Sequence, residues 1–488
     1  MPKRRARPEG RRVTSPSRTR PKTMTSFDTA PVHAPAATRN DSQALPFIVA
    51  AAILFTVQLI IDAREFTGDA GAYWALSSAI IDGTFPQTIR GYAYPLLLTP
   101  FRLVFDHSQP AGLLFLKIGQ SIGYAYAFSI LIPNLYRSIF GAKLSTASRL
   151  IPSILIASVF PGLISYPLSD APSLGLMALA LYITVKSIRS KSFYGLFAAG
   201  AICYLTYNIR TIYLFSFIAL AIVVTTFFAK DIQRRAAALT IFLAGSLLSA
   251  LPQMAINYTH HATVSPLLVT DVRGASLFAR QLTWGMVVDR YETYIDPGTG
   301  KATPTFYANK RGAAVLQKNG GFIANQSFTK ILTMMANHPV TFAQIYLRHI
   351  ASALDARDGE VYTKQPSADK NPRSVLFLII VTFGITQLGK AIFFASSQAS
   401  VSARMLHTLT LLAPCIAIIP GAIETRFFLP LYCLAYCALA FQQISRRALV
   451  VQLGIAAILT AGIYSFAADS VKSPIHARPE SYVLGNPG

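Results

Sequence analysis

Four carboxylates, Asp62, Glu65, Asp69 and Asp82, follow directly on the first long apolar run, in the stretch IDAREFTGDAGAYWALSSAIIDG. A carboxylate beside hydrocarbon is costly, so such a cluster marks a functional site by default. Asp69 and Tyr73 are four residues apart and share a face if the segment is helical. Asp69 there suits a general base or a metal ligand above a membrane surface. A structural role competes with this, because Gly68-Asp69 opens a helix that Gly83 ends and Asp is a favoured N-cap. Asp170, in SYPLSDAPS, has the same two readings, with Pro172 in the first turn of a following helix.

Two arginines complete the set. Arg210 lies in LTYNIRTIY and Arg426 in GAIETRFFLP, each at the edge of an apolar run. A planar guanidinium at that depth can grip a phosphate bidentately. The alternatives are snorkelling to the membrane surface, or pairing with a nearby acid such as Glu424. His260-His261 is a poor chelating pair because adjacent side chains diverge. Cys203, Cys415, Cys433 and Cys437 have neither zinc nor disulfide spacing and read as packing residues.

These residues need elements to hold them. Of 488 residues, 52% are hydrophobic and only 13% charged. The helix-length apolar runs lack barrel-like alternation, so the fold class is an all-α polytopic membrane protein. About 11 transmembrane helices are expected, over 46–62, 110–134, 150–166, 171–187, 193–209, 211–229, 237–256, 374–396, 405–421, 427–444 and 448–467. Tyr92–Phe105 is short, holds Pro95 and Pro100, and is interrupted by Arg102, so it reads as an interfacial or re-entrant helix. Basic connectors such as Arg137/Lys143/Arg149, Lys186/Arg189/Lys191 and Lys230/Arg234/Arg235 then all lie on the cytoplasmic side, with the N-terminus. On that topology 17 of the 21 acids fall on or at the edge of the opposite face.

The organisation follows. Residues 1–45 form a basic tail with ten Lys and Arg against three acids, expected to be disordered. Its charge supplies part of the formal +23 and fits attraction to a membrane surface, not nucleic acid. Translation starts at Met1 or at Met24, and no cleaved signal peptide is expected. Residues 46–257 make an N-terminal membrane module whose first external loop is 63–109. Residues 258–373 make a larger external loop, with two amphipathic helices over 327–354 broken at Pro339 and Ile345, Leu347, Ile350 and Leu354 on the apolar side. Residues 374–467 supply the last membrane helices, and 468–488 an external tail. No internal repeat is visible, which argues against a symmetric transporter, and Lys117 and Lys390 are the few ionisable candidates in mid-span.

The order of these features resembles the GT-C membrane glycosyltransferases, within them the bacterial relatives of protein O-mannosyltransferases and of lipid A aminoarabinose transferases. The residues that carry the resemblance are Asp69, Tyr73, Gly83 and Arg90-Gly-Tyr-Ala-Tyr-Pro95 in the first loop. Further on they are Ser169-Asp170-Ala-Pro172, Arg210, Pro252 with Asn257, and Glu424, Arg426, Phe427 and Pro430. Two departures stand out: Ala70 follows the first Asp where the family often has Glu, and the Gly-Tyr-Pro step is longer by two residues.

The resemblance implies a bacterial inner-membrane enzyme using a polyprenyl-phosphate-linked sugar donor on the periplasmic face, among membrane lipids. The acceptor would be a hydroxyl of a lipid, glycan or protein. Asp69 and Asp170 would be catalytic, and Arg210, Arg426 and Arg90 would hold the donor phosphate. Tyr73, Tyr92 and Glu424 would position substrate; a divalent metal is compatible with the family, though no ligand set is marked for it. A lipid-linked oligosaccharide polymerase or ligase, or a transporter, are the rival functions.

Overall fold

The computed structural model describes residues 43–272, 275–321, 327–356, 361–366, 372–395, 397, 399–443, 446–475 and 479. Residues 1–42 of the basic tail therefore lie outside the described residues, and helix begins at Ala44, inside the expected 1–45 tail. Among the described residues, seven helices are long and apolar enough to cross a membrane: Ala44–Ile61, Gln109–Phe140, Asp170–Ser190, Ile232–His261, Pro372–Phe394, Val401–Ile418 and Arg447–Ser470. Four shorter apolar helices, Thr146–Val159, Phe193–Ile209, Thr211–Phe227 and Thr425–Phe441, stand where the other expected spans were placed. The chain is an integral membrane protein, mostly helical. Its first and last long helices expose rows of Ile, Leu and Val, such as Ile60 and Ile458, as lipid-facing helices do.

The first loop folds as two helices. Gly68–Ile81 ends just before Gly83, whose φ of 68° takes the chain out of the helix. Ala93–His107 contains Pro100 and falls in neither class of apolar helix above. It packs between Gly68–Ile81 and Gln109–Ala125. Gly91 permits this docking: a Cβ there would stand 2.1 Å from the Asn208 carbonyl oxygen. Asn208 Oδ1 accepts from the Ala93 N–H (2.8 Å), and its amide donates to Gln253 Oε1 (2.9 Å). Gln253 in turn donates to Asn257 Oδ1 (3.0 Å), and Asn257 reaches the carbonyls of Ser265 and Leu267. One buried amide chain thus ties the first loop to the helix Ile232–His261 and the loop after it.

The 258–373 region differs from the all-α expectation. Val288–Ile295 and Ala302–Ala308 pair antiparallel, and Pro474–Ile475 adds a third strand with Phe306 opposite Ile475. The helices Leu277–Val287, Lys310–Lys318, Phe328–Asn337 and Pro339–Leu354 cover this sheet around Met286, Val288, Leu316 and Phe342. Two expected boundaries move with it. Residue 257 is not a boundary, because the helix Ile232–His261 continues past it. The last helix runs to Ser470, and the segment after it joins the sheet instead of forming a separate tail. The break at Pro339 is where expected, but Leu347 is 56% exposed while Ile345 and Leu354 are buried. Leu347 lies about 200° around the helix from Ile345, so the two cannot share a face.

Candidate active site

Asp69 and Asp170 each open a helix, and neither spends its side chain on capping it. The N-caps are Thr67 and Ser169, without side-chain cap bonds. Each carboxylate takes guanidinium partners instead. Asp69 Oδ1 accepts from Arg90 Nη2 at 2.6 Å and Oδ2 from Arg426 Nη2 at 2.9 Å. Asp170 accepts from Arg210 through Oδ1, and its Oδ2 lies 3.5 Å from Arg426 Nη1. Arg426 Nε donates to Glu424 Oε2 at 2.7 Å. One arginine, 5% exposed, thereby joins three carboxylates from three distant parts of the chain.

Tyr73 lines the same space, with its hydroxyl 3.4 Å from the Ile209 carbonyl and the Arg90 guanidinium 5.3 Å above its ring. Arg210 stacks 4.7 Å over the Phe427 ring. Tyr92 does not reach this space: its hydroxyl donates to the Ser249 carbonyl at 2.6 Å, and it packs the first loop. Glu424 is fully buried behind Arg426. Burial would push the Asp69 carboxyl up, but Arg426 and Arg90 outweigh it and hold the group at about 2. The Glu424 carboxyl goes the other way, pushed up by burial to about 7 against the pull of Arg426.

Sequence reasoning missed the residues that stand behind these. Strand Val288–Ile295 runs alongside 423–425, its Tyr291 N–H donating to the Ile423 carbonyl at 2.8 Å and its Thr293 N–H to Glu424 Oε1 at 3.2 Å. Glu292 Oε1 accepts from the Thr425 N–H (3.0 Å), from the Thr425 hydroxyl and from Arg290 Nε (2.9 Å). Arg290 Nη2 also donates to Thr425 Oγ1 at 2.9 Å, and Arg290 and Glu292 are fully buried. The turn that aims Arg426 is thus clasped by a buried ion pair from the strand Val288–Ile295. Tyr362 completes the surround: its hydroxyl accepts from the Asp69 N–H at 2.9 Å, and Arg426 lies 5.6 Å over its ring. Gly68, at φ 60°, is required below it, since a Cβ would come 2.8 Å from that hydroxyl. Alternating charge and aromatic in VDRYETYI was the available signal, but on a strand it equally describes an exposed face.

Asp69, Tyr73, Asp170, Arg210 and Arg426 line a cavity of about 570 Å³. Its other side is apolar, with Leu214, Leu268 and Leu282, and it continues to the exposed Phe215, Leu267 and Phe278. Charged groups at one end and an open apolar wall at the other suit a ligand with an anionic head and a hydrocarbon tail. Among the described residues no group of three or more His, Cys, Asp or Glu side chains is placed to hold a metal ion. His260 bonds to the Phe85 carbonyl. Lys117 is paired with Asp62 at 2.8 Å, and the four cysteines are buried and unbridged.

No protein-family model matches the chain, and a search of curated proteins finds no relative. Among solved structures, the apo oligosaccharyltransferase of Archaeoglobus fulgidus is similar, with 15% identity and a TM-score of 0.46 over 88% of this chain. That alignment covers 56% of the archaeal protein, so the chain spans just over half of its length. A likeness of that degree assigns neither family nor activity.

Proposed function

We propose that the protein is a membrane glycosyltransferase that moves a sugar from a polyprenyl-phosphate-linked donor to an acceptor hydroxyl. The observation that carries this reading is the placement of Asp69 between two guanidiniums in a cavity that is also lined by apolar side chains, among them the exposed Phe215, Leu267 and Phe278. The acceptor hydroxyl attacks the anomeric carbon, its C–O bond forming as the bond from that carbon to the phosphate oxygen breaks. The electron pair leaves on the phosphate, and the hydroxyl proton passes to Asp69. Arg426 and Arg210 stabilise the charge that grows on the leaving phosphate, where fixed cations in a water-poor site act most strongly.

The resting geometry adds a condition. A carboxylate held at about 2 by two arginines is a weak base. A donor phosphate that draws Arg426 toward itself releases Asp69 from one partner, so the base strengthens only when the donor is in place. Asp170 keeps Arg210 oriented, and Glu424 keeps Arg426. The four shorter apolar helices complete eleven crossings, with the N-terminus in the cytoplasm of a bacterium and the cavity on the periplasmic face.

Two experiments test this. Reporter fusions after Lys191 and Arg235 should read as cytoplasmic, and fusions after Asp355 and Ser470 as periplasmic; the reverse would put the cavity on the wrong side for the donor. Purified full-length protein is also offered either a polyprenyl-phosphate sugar or the matching nucleotide sugar. Transfer from the lipid-linked donor is expected, and transfer from the nucleotide sugar alone would overturn the mechanism.

A further inference from the structure

A second cavity, of about 280 Å³, lies where the last helix meets the sheet domain, and six charged residues face it: Lys310, Arg311, Arg348, Lys472, Asp289 and Asp469. We propose that it binds the phosphate of an anionic membrane lipid.

The charges do not cancel. Asp289 is buried and already taken, accepting from Asn309 Nδ2 at 2.5 Å and from Arg348 at 3.2 Å. Asp469 is paired with Lys472 at 2.6 Å in an exposed contact that exchanges readily. Lys310 has no acid within bridging distance among the described residues, and the Arg311 guanidinium bonds the neutral amide oxygen of Gln344. Two cations are left facing the cavity without counter-charge. The helix Lys310–Lys318 begins at the same point, capped by Asn309 on the Gly312 N–H at 2.9 Å, so its positive end adds to them.

The frame is held before any ligand arrives. The Ala308 N–H donates to the Ser473 carbonyl at 3.0 Å, and Ser352 Oγ donates to Ser470 Oγ at 2.9 Å. The strap from the last helix is therefore fixed to both the sheet and the helix Pro339–Leu354. Depth and surroundings select a lipid over free phosphate. The apolar helix Arg447–Ser470 ends two residues before Lys472, which sets the cavity at headgroup level. Val340 and Leu347 flank Gln344 on one stripe of the helix Pro339–Leu354, 69% and 56% exposed, next to the cavity where acyl chains would lie.

The test uses the full chain in neutral detergent, titrated with short-chain phosphatidylglycerol, short-chain phosphatidylcholine or inorganic phosphate, with bound lipid read by native mass spectrometry. Phosphatidylglycerol should bind at least about tenfold more tightly than phosphatidylcholine, with inorganic phosphate weaker but competing. The double variant Lys310→Gln/Arg311→Gln should lose about tenfold in phosphatidylglycerol affinity, and Lys318→Gln at the far end of that helix should lose none. Leu347→Ser should weaken phosphatidylglycerol without altering inorganic phosphate. Equal binding of the two lipids, or a double variant that binds like the parent, would overturn the site; inorganic phosphate as tight as the lipid would overturn its assignment to a lipid. None of these outcomes depends on the activity proposed for the larger cavity.

Discussion

Asp69→Asn separates chemistry from architecture, because Asn keeps the shape and loses only the charge and basicity. The structural cost can be bounded from the site. Holding the carboxyl at about 2 instead of its ordinary 3.8 corresponds to about 2.4 kcal/mol if fully realised. Its side chain is 41% exposed, so solvent screening reduces this to about 1 kcal/mol. The sign is that of a depressed acid: the stabilisation is complete above pH 3.8, and is lost as pH falls through about 2. At neutral pH the Asn variant therefore gives up about 1 kcal/mol of a total of about 5–15, which leaves nearly every molecule folded.

The chemical cost is far larger if Asp69 takes the acceptor proton. Loss of a general base lowers the rate by about 10²–10⁴. Purified parent and variant should therefore show similar melting temperatures and similar binding of the lipid-linked donor. Single-turnover transfer should fall by at least about a hundredfold in the variant. Transfer within about threefold of the parent would refute the role of Asp69 as base, since folding losses of this size cannot hide a catalytic one.

Arg426→Lys keeps the charge but cannot reach Asp69, Asp170 and Glu424 together. Turnover should fall at least about tenfold while membrane-inserted protein, measured by immunoblot, stays level. Glu292→Gln leaves Arg290 with less compensating charge in a fully buried place and loosens Thr425. It should cost about 3 kcal/mol, seen as a lower melting temperature, because breaking one partner of a buried pair is expensive. Burial raises Glu424 from 4.5 to about 7, so the folded state holds the extra proton and stability should decline as pH rises through that window. Melting temperatures between pH 5 and 8 should show the decline, and Glu424→Gln should flatten it.

Much of the membrane architecture was legible because a bilayer forces it: apolar runs of helix length have few other solutions. The first-loop helix was legible for a similar reason, with Gly68 and Gly83 bounding it in the sequence as they do in space. Local signals failed where a residue's role is set by a partner far along the chain. Asp69 and Asp170 look like helix caps because they open helices, yet their charge goes to arginines elsewhere in the chain: Arg90 and Arg210 take one each, and Arg426, 357 and 256 residues away, reaches both. Asn257 sits in a sequon, yet it is buried and bonded to two carbonyls. Tyr92 has the composition of a substrate contact and the geometry of a packing residue.

The strand Val288–Ile295 marks the limit of such reading most clearly. Its charges at 290 and 292 point to one side, as on any half-exposed strand with period two. In the folded chain that side is the interior, where Arg290 is paired with Glu292 and lies 3.8 Å from the buried Asp355, and both strand residues bond the Thr425 turn. A buried ion pair of this kind is weak evidence for stability, since well-packed apolar residues do as well or better. What it supplies here is orientation. The turn from Glu424 to Phe428 carries Arg426, which meets both helix-opening aspartates, and it follows a loop with little helical restraint of its own. Fixing that turn from the sheet side, through Glu292 and Thr425, sets where the Arg426 fork points before any phosphate arrives.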